Sequence, residues 1–170
     1  MHASTIRAAH WGALAITLIW LLLAGVIYSA WVWYENTQRE SLVPYAGHGG
    51  ELVIPRHTDG HFYVKGEVNH APVNFMIDTG ATAVSVNHEQ AAQAKLPSGH
   101  AVTIQTANGS VPGELVHGVP VRAGHLVYND TLVVRGLVGL PSDQALLGQS
   151  FLMQFNIELR EREMILRPRD

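Results

Sequence analysis

The sequence contains no cysteine, and only 15% of its 170 residues are charged. Without cysteine the chain can form neither a disulfide nor a thiolate metal site, and it has no thiolate nucleophile. The formal net charge of -3 provides no basic surface of the kind that binds nucleic acid. Internal repeats are also missing. Any chemistry therefore depends on oxygen and nitrogen side chains, and no nucleic-acid partner is expected.

One long apolar run lies near the N-terminus. No Asp, Glu, Lys or Arg occurs from residue 8 to residue 34, and about 20 apolar residues suffice to cross a membrane as a helix. Trp31 and Trp33 lie at its far end, as is typical of a membrane interface. We predict a transmembrane helix at residues 8–34 after a short tail at residues 1–7. A cleaved signal peptide is the alternative, because Arg7 precedes the run.

The rest of the chain divides into a linker and a domain. A short N-terminus before an apolar span favours a cytoplasmic amino end, an inner-membrane location and a periplasmic domain. Residues 35–50 are polar and end in glycines, so they are predicted to form a stalk. Residues 51–170 are numerous enough for one compact core.

The domain is predicted to be mostly β, because short runs rich in Val, Ile, Phe and Tyr alternate with turn residues. The predicted strands are residues 51–55, 61–68, 72–77, 83–86, 101–106, 111–116, 119–123, 126–127, 132–134, 156–159 and 164–166. One helix is predicted to begin after Asn87, which can form a capping box with Gln90. This helix is predicted to continue until Pro97. A second short helix follows Gly148. Many short strands with close turns indicate a small barrel or sandwich.

Asp78 is the single carboxylate in the otherwise nearly apolar segment NFMIDTGATAVSV. It follows a predicted strand, and Gly80 then permits a sharp turn before the next strand. An ionised carboxylate among apolar neighbours costs free energy unless it is hydrogen-bonded or shares a proton with a partner. An ordinary turn is the alternative, since Asp and Gly are common turn residues.

Three segments carry a family resemblance: FMIDTGATAVSV, QTANGS and LLGQSFLMQFNIEL. Together they resemble the retropepsin-like aspartic proteases, specifically the bacterial membrane-anchored single-domain group. The resemblance implies a small closed acid-protease barrel with one or two short helices. It implies that Asp78 is catalytic and that the hairpin around Asn108 and Gly109 is a flap. Further implied site residues are the active-site loop residues Thr79, Gly80 and Ala81, and the hydrophobic-hydrophobic-glycine motif Leu146, Leu147 and Gly148.

The chemistry of peptide hydrolysis predicts a homodimer. Without a metal or a covalent intermediate, one carboxylate must accept a proton from water while another donates one to the carbonyl oxygen. Two close carboxylates cannot both ionise, so they share a proton. No second Asp-Thr-Gly occurs in the chain, so the partner of Asp78 must come from a second copy. The expected function is therefore a membrane-anchored aspartic endopeptidase without cofactor, acting on peptides. An inactive membrane-tethered binding or scaffold domain is the alternative.

Ala81 predicts the pH range of activity. It supplies no hydroxyl that could donate a hydrogen bond to an ionised Asp78, so the carboxyl is expected to be less acidic than in a hydroxyl-bearing homologue. The expected optimum is about pH 5 to 6.5.

Other motifs give weaker signals. His57 and His61 are four residues apart, but Asp59 and Gly60 between them indicate a turn rather than a zinc-binding helix, so no metal is expected. Ser150 lacks the following glycine of a nucleophile elbow and is expected in the first turn of a helix. The C-terminal EREMILRPRD predicts either an edge strand protected by charges or a strand that pairs with a second subunit.

Overall fold

The computed structural model describes residues 16, 18–33, 43–106, 109–136, 139 and 141–169. The chain divides into two compact units, Met1–Ser41 and Leu42–Asp170. In the first unit, residues 16 and 18–33 are helical, and apolar side chains such as Trp20 and Leu22 are exposed. Within the described residues no helix combines the length and the apolar character that a membrane crossing requires. The predicted tail at residues 1–7 and parts of the predicted span lie outside the described residues.

The described part of the second unit contains eleven strands and two α-helices. The strands are β1 Tyr45–Ala46, β2 Leu52–Pro55, β3 Tyr63–Val68, β4 Ala71–Ile77, β5 Val84–Val86, β6 His100–Thr106, β7 Gly109–Ala123, β8 Leu126–Arg135, β9 Gln144–Leu147, β10 Phe155–Leu159 and β11 Glu163–Pro168. The helices are α1 His88–Gln93 and α2 Gln149–Leu152, and a 3-10 turn spans His48–Gly50.

Six strands close into a barrel. The order is β3-β4-β9-β5-β8-β7, and β7 pairs back onto β3 at Val68 and Val121. The pairs β4–β9 and β5–β8 are parallel, and the other pairings are antiparallel. The barrel encloses fully buried apolar side chains, among them Phe75, Leu147 and Phe151. The predicted mostly β, closed fold with few helices is confirmed.

A second sheet has the order β1-β2-β11-β10. Its strand β11 pairs with β2 on one side and with β10 on the other, so both of its backbone edges are occupied within one chain. Both predictions for the C-terminal segment are therefore wrong: β11 is neither an edge strand nor available to pair with a second subunit. The compact unit also begins before residue 51, because Tyr45 and Ala46 pair with Val53 and Leu52.

Helix α1 begins as predicted and ends early. The Asn87 side chain accepts a hydrogen bond from the Gln90 backbone N–H at 2.8 Å, and the Gln90 side chain accepts one from the Asn87 N–H at 3.1 Å. This capping box satisfies two N–H groups at the helix start. The helix stops at Gln93, before the predicted Pro97, because Lys95 adopts a left-handed conformation with φ 50°. The Asn69 amide then donates to the Ala94 carbonyl at 2.7 Å.

Strands β7 and β8 are longer than predicted. Separate strands were predicted at residues 111–116 and 119–123, yet β7 runs through both, with register shifts against β8 on either side of Val119. Such β-bulges absorb an extra residue without ending a strand. Strand β8 likewise joins the two strands that were predicted separately at residues 126–127 and 132–134. In both cases pairing with neighbouring strands prevails over local turn preference.

Candidate active site

Asp78 lies directly after the last residue of β4. Its backbone N–H donates to the Leu147 carbonyl at 3.2 Å, which fixes it to the end of the parallel strand β9. Its Oδ1 accepts a hydrogen bond from the Gly80 N–H at 2.8 Å. The side chain is half-buried. In a single chain, solvent and one backbone N–H therefore already stabilise the Asp78 carboxylate. Asp78 is only partly buried, whereas its apolar sequence neighbours suggested fuller burial.

The hydrophobic-hydrophobic-glycine motif lies against the Asp78 loop. Leu146 and Leu147 pair with Met76 and Ile77 of β4, so the motif runs beside the strand that leads into Asp78. Gly148 is fully enclosed by the loop backbone: a Cβ there would lie 2.2 Å from the Ala83 carbonyl oxygen. No side chain fits at that distance, which explains the glycine.

Thr79, Gly80 and Ala81 complete the loop. Thr79 and Gly80 are exposed in the single chain, whereas Ala81 is half-buried. The Ala81 N–H donates to the Asp78 carbonyl at 3.2 Å and closes a tight turn. The structure thus brings the predicted loop residues and the predicted glycine motif together.

Two further residues hold this loop, and sequence reasoning did not assign them to it. The Gln149 N–H donates to the Ala81 carbonyl at 2.8 Å, and its side-chain amide donates to the Thr79 carbonyl at 2.8 Å. The Ser150 hydroxyl donates to the Leu132 carbonyl at 2.8 Å and accepts from the Val84 N–H at 3.0 Å. Ser150 lies in helix α2 as predicted. The position of Gln149 and Ser150 directly after the glycine motif is the sequence feature that could have assigned them to this loop.

The predicted flap corresponds to the β6–β7 hairpin. Thr106 pairs with Gly109 at the end of this hairpin. Gly109 has a positive φ of 117°, and Asn108 lies outside the described residues. Strand β7 pairs with β8 only from Glu114 onward. The hairpin beyond that point is therefore an arm of two strands that pair with each other.

The described residues contain no group of three or more His, Asp or Glu side chains arranged to hold a metal ion. His57 and His61 lie in a turn, as predicted, and both imidazole Nδ1 atoms approach Asp59 Oδ1, at 3.3 and 3.4 Å.

The geometry of the Asp78 loop determines which chemical step a single chain can perform. It presents one partly exposed carboxylate on a loop held by backbone and side-chain hydrogen bonds from both sides of Gly148. A carboxylate in this position can accept a proton from water. The matching acid is not part of the same loop, since Asp78 is its only ionisable side chain.

Comparison with known proteins agrees with this geometry. The family model described as "gag-polyprotein putative aspartyl protease" matches residues 64–154, which is more than half of the chain. The crystal structure of a retropepsin-like aspartic protease from Rickettsia conorii superimposes with a TM-score of 0.56 and 32% sequence identity. That match covers 69% of this chain and 89% of the Rickettsia chain.

Two curated relatives are uncharacterized proteins. One, from Rickettsia prowazekii (strain Madrid E), is 32% identical over 116 residues, which cover 62% of this chain and 46% of that protein. The other, encoded in the cobV 5′ region of a Sinorhizobium species, is 25% identical over 169 residues and covers 88% of this chain and 71% of that protein. The chain thus spans less than half the length of the Rickettsia prowazekii protein. On the family match and the structural likeness, the chain belongs to the retropepsin-like aspartic proteases.

Proposed function

We propose that this protein is an aspartic endopeptidase that is active as a homodimer. The observation that carries the proposal is the Asp78 carboxylate, half-exposed on a loop that Leu147, Gly148 and Gln149 hold in place. Such fixed geometry suits a catalytic group, because positioning a reactant removes much of the entropic part of the barrier. An ordinary turn would not need contacts from three consecutive residues of a distant segment.

In the proposed mechanism, the Asp78 carboxylates of two chains face each other across a two-fold axis. One is ionised and accepts a proton from water, while the other is protonated and donates to the carbonyl oxygen of the scissile bond. Repulsion between two close carboxylates keeps one proton on the pair, so one carboxylate acts as the base and the other as the acid. The exposed Thr79 and Gly80 are then the residues that meet their counterparts beside the axis.

The proposed substrate is an extended peptide with apolar residues flanking the scissile bond. It would lie between the Asp78 loop and the β6–β7 hairpin, where a strand-like backbone can pair with the hairpin. The hairpin acts as a lid that limits access of water during hydrolysis. No cofactor takes part in this scheme.

Replacing Asp78 tests the proposal most simply. We expect Asp78→Asn to lower the cleavage rate of a peptide library by about 10²- to 10⁴-fold, because the amide cannot accept the proton from water. Asp130→Asn is the matched control, since Asp130 is an exposed carboxylate on β8. Equal cleavage by the wild type and by Asp78→Asn would contradict the proposal. Peptide binding without any Asp78-dependent cleavage would indicate the scaffold alternative.

Ala81 determines the expected pH range, about pH 5 to 6.5. We expect Ala81→Ser to shift the acidic limb of the kcat/KM profile downward by about 0.4 to 1 pH unit. The added hydroxyl would donate to ionised Asp78 and favour the charged form, so activity would persist to lower pH. Ala81→Cys is the control of similar size, because a thiol is a weak donor. An unchanged acidic limb in Ala81→Ser would refute this explanation.

We further propose that residues 8–34 anchor the protein in the inner membrane, with the amino end cytoplasmic and the protease domain periplasmic. The uncharged sequence and the exposed apolar side chains of residues 18–33 support an anchor. We expect the full chain in a bacterial host to remain in the membrane fraction after a carbonate wash, and a C-terminal alkaline phosphatase fusion to be active. Release by the wash would contradict the anchor, and an inactive fusion would contradict the orientation.

A further inference from the structure

The peptide unit between Thr79 and Gly80 is hydrogen-bonded at both of its ends. The Gln149 side-chain amide donates to the Thr79 carbonyl at 2.8 Å, and the Gly80 N–H donates to Asp78 Oδ1 at 2.8 Å. A trans peptide unit is planar, and its carbonyl and N–H point to opposite sides. Gln149 therefore lies on one side of this unit and the Asp78 carboxylate on the other, so one rigid group joins the two side chains.

The peptide units on either side of Thr79–Gly80 are held by backbone hydrogen bonds. The Ala81 N–H donates to the Asp78 carbonyl at 3.2 Å, and the Gln149 N–H donates to the Ala81 carbonyl at 2.8 Å. Within the described residues, the Thr79–Gly80 unit itself has no backbone partner. Its orientation therefore depends on the side chains of Gln149 and Asp78.

Glycine makes this peptide unit easy to rotate. Turning it by half a revolution changes mainly ψ of Thr79 and φ of Gly80, and glycine accepts values of φ that strain other residues. The rotated unit would direct the Thr79 carbonyl oxygen toward the Asp78 carboxylate, and neither oxygen can donate a hydrogen bond to the other. The bond from Gln149 opposes this rotation, because it forms only while the carbonyl points away from Asp78.

The same hydrogen bond strengthens the donor that Asp78 uses. A hydrogen bond accepted at a carbonyl polarises its peptide unit, which makes the N–H at the other end a better donor. Donation to a carboxylate favours the ionised form, and this is the form that accepts a proton from water in the proposed mechanism. Gln149 thus acts on Asp78 through the peptide unit rather than by a direct hydrogen bond.

We propose that Gln149 is a positioning residue, which holds the Thr79–Gly80 peptide with its N–H directed at Asp78 and so keeps the carboxylate hydrogen-bonded and in place. The proposal rests on the proposed peptidase function and adds a residue to its active site. The corresponding sequence feature is the glutamine directly after the hydrophobic-hydrophobic-glycine motif. In a two-fold dimer each Asp78 would be positioned by the Gln149 of its own chain.

Gln149→Met removes the amide donor and keeps an unbranched side chain of similar length. We expect kcat for an apolar peptide to fall by about 10- to 100-fold, with KM changed by less than about 3-fold, because the carboxylate loses its fixed position. We also expect the acidic limb of the kcat/KM profile to move upward by about 0.4 to 1 pH unit, since the ionised carboxylate loses a donor. A mere loss of folded protein would lower kcat without moving this limb.

Gln149→Glu keeps the shape of the side chain and reverses the preferred orientation of the peptide. The introduced carboxylate is ionised at neutral pH, cannot donate to the Thr79 carbonyl, and would accept from the Gly80 N–H after rotation. We expect a larger loss of kcat/KM than in Gln149→Met. Gln154 is the matched control, because it is half-buried in the turn after α2 and its side chain forms no hydrogen bond within the described part of the chain. Gln154→Met and Gln154→Glu should leave kcat and the pH profile unchanged.

A spectroscopic measurement on the full chain in detergent tests the same link without relying on cleavage. Thr79–Gly80 is the only Thr-Gly pair in the sequence, so labelling threonine with carbonyl ¹³C and glycine with ¹⁵N gives one HNCO signal, which comes from this peptide unit. Hydrogen bonds at the carbonyl and at the N–H move its ¹³C and ¹H shifts downfield. We expect Gln149→Met to move both shifts upfield and to speed exchange of the amide proton with solvent. Gln154→Met should leave the signal in place.

An unchanged acidic limb in Gln149→Met, or an unchanged Gly80 amide proton shift, would overturn the positioning role. If Gln149→Met does not fold, Gln149→Glu is used for both measurements, with the same directions expected. Failure of the peptidase function is recognised separately, because an absence of Asp78-dependent cleavage contradicts that function alone. The HNCO signal then decides whether Gln149 orients the Thr79–Gly80 peptide.

Discussion

The close approach of Gly148 to the Asp78 loop is the constraint on which the site depends. A Cβ at residue 148 would lie 2.2 Å from the Ala83 carbonyl oxygen, so the two backbones meet without an intervening side chain. Because they meet, Asp78 can bond to Leu147, and Gln149 can reach the carbonyls of the loop. Backbone contacts of this kind depend little on side-chain rotamers, and they hold the carboxylate in one place. The barrel supplies the frame, since β4 and β9 are adjacent parallel strands within it.

The strands, the helix start and the motifs that were predicted from the sequence depend on residues close together in the chain. Period-two alternation identified the first barrel strands, and the capping box of Asn87 and Gln90 located the start of α1. The Asp-Thr-Gly triplet and the glycine motif were recognised as a set. Their contact across some 70 residues of chain follows from the parallel pairing of β4 with β9, which a single sequence does not reveal except through the family resemblance.

The structural features that were not predicted depend on pairing with residues that are distant in the sequence. Strand β1 has two residues and is defined by its pairing with β2, so no periodicity could reveal it. Strand β11 lies inside its sheet rather than at the edge because β10 folds back and pairs with it. Local patterns describe elements, whereas register decides which side chains share a surface.

The central claim is that each active site takes one Asp78 from each of two chains, and mixing two forms of the protein tests it most directly. Wild-type chains are incubated with an equal amount of Asp78→Asn chains until the subunits have exchanged, and the cleavage rate is compared with that of the same wild-type amount alone. If a site needs both carboxylates, random pairing leaves about half of the original activity, because mixed dimers are inactive. Full activity after complete exchange would mean that a single Asp78 suffices and would contradict the shared site.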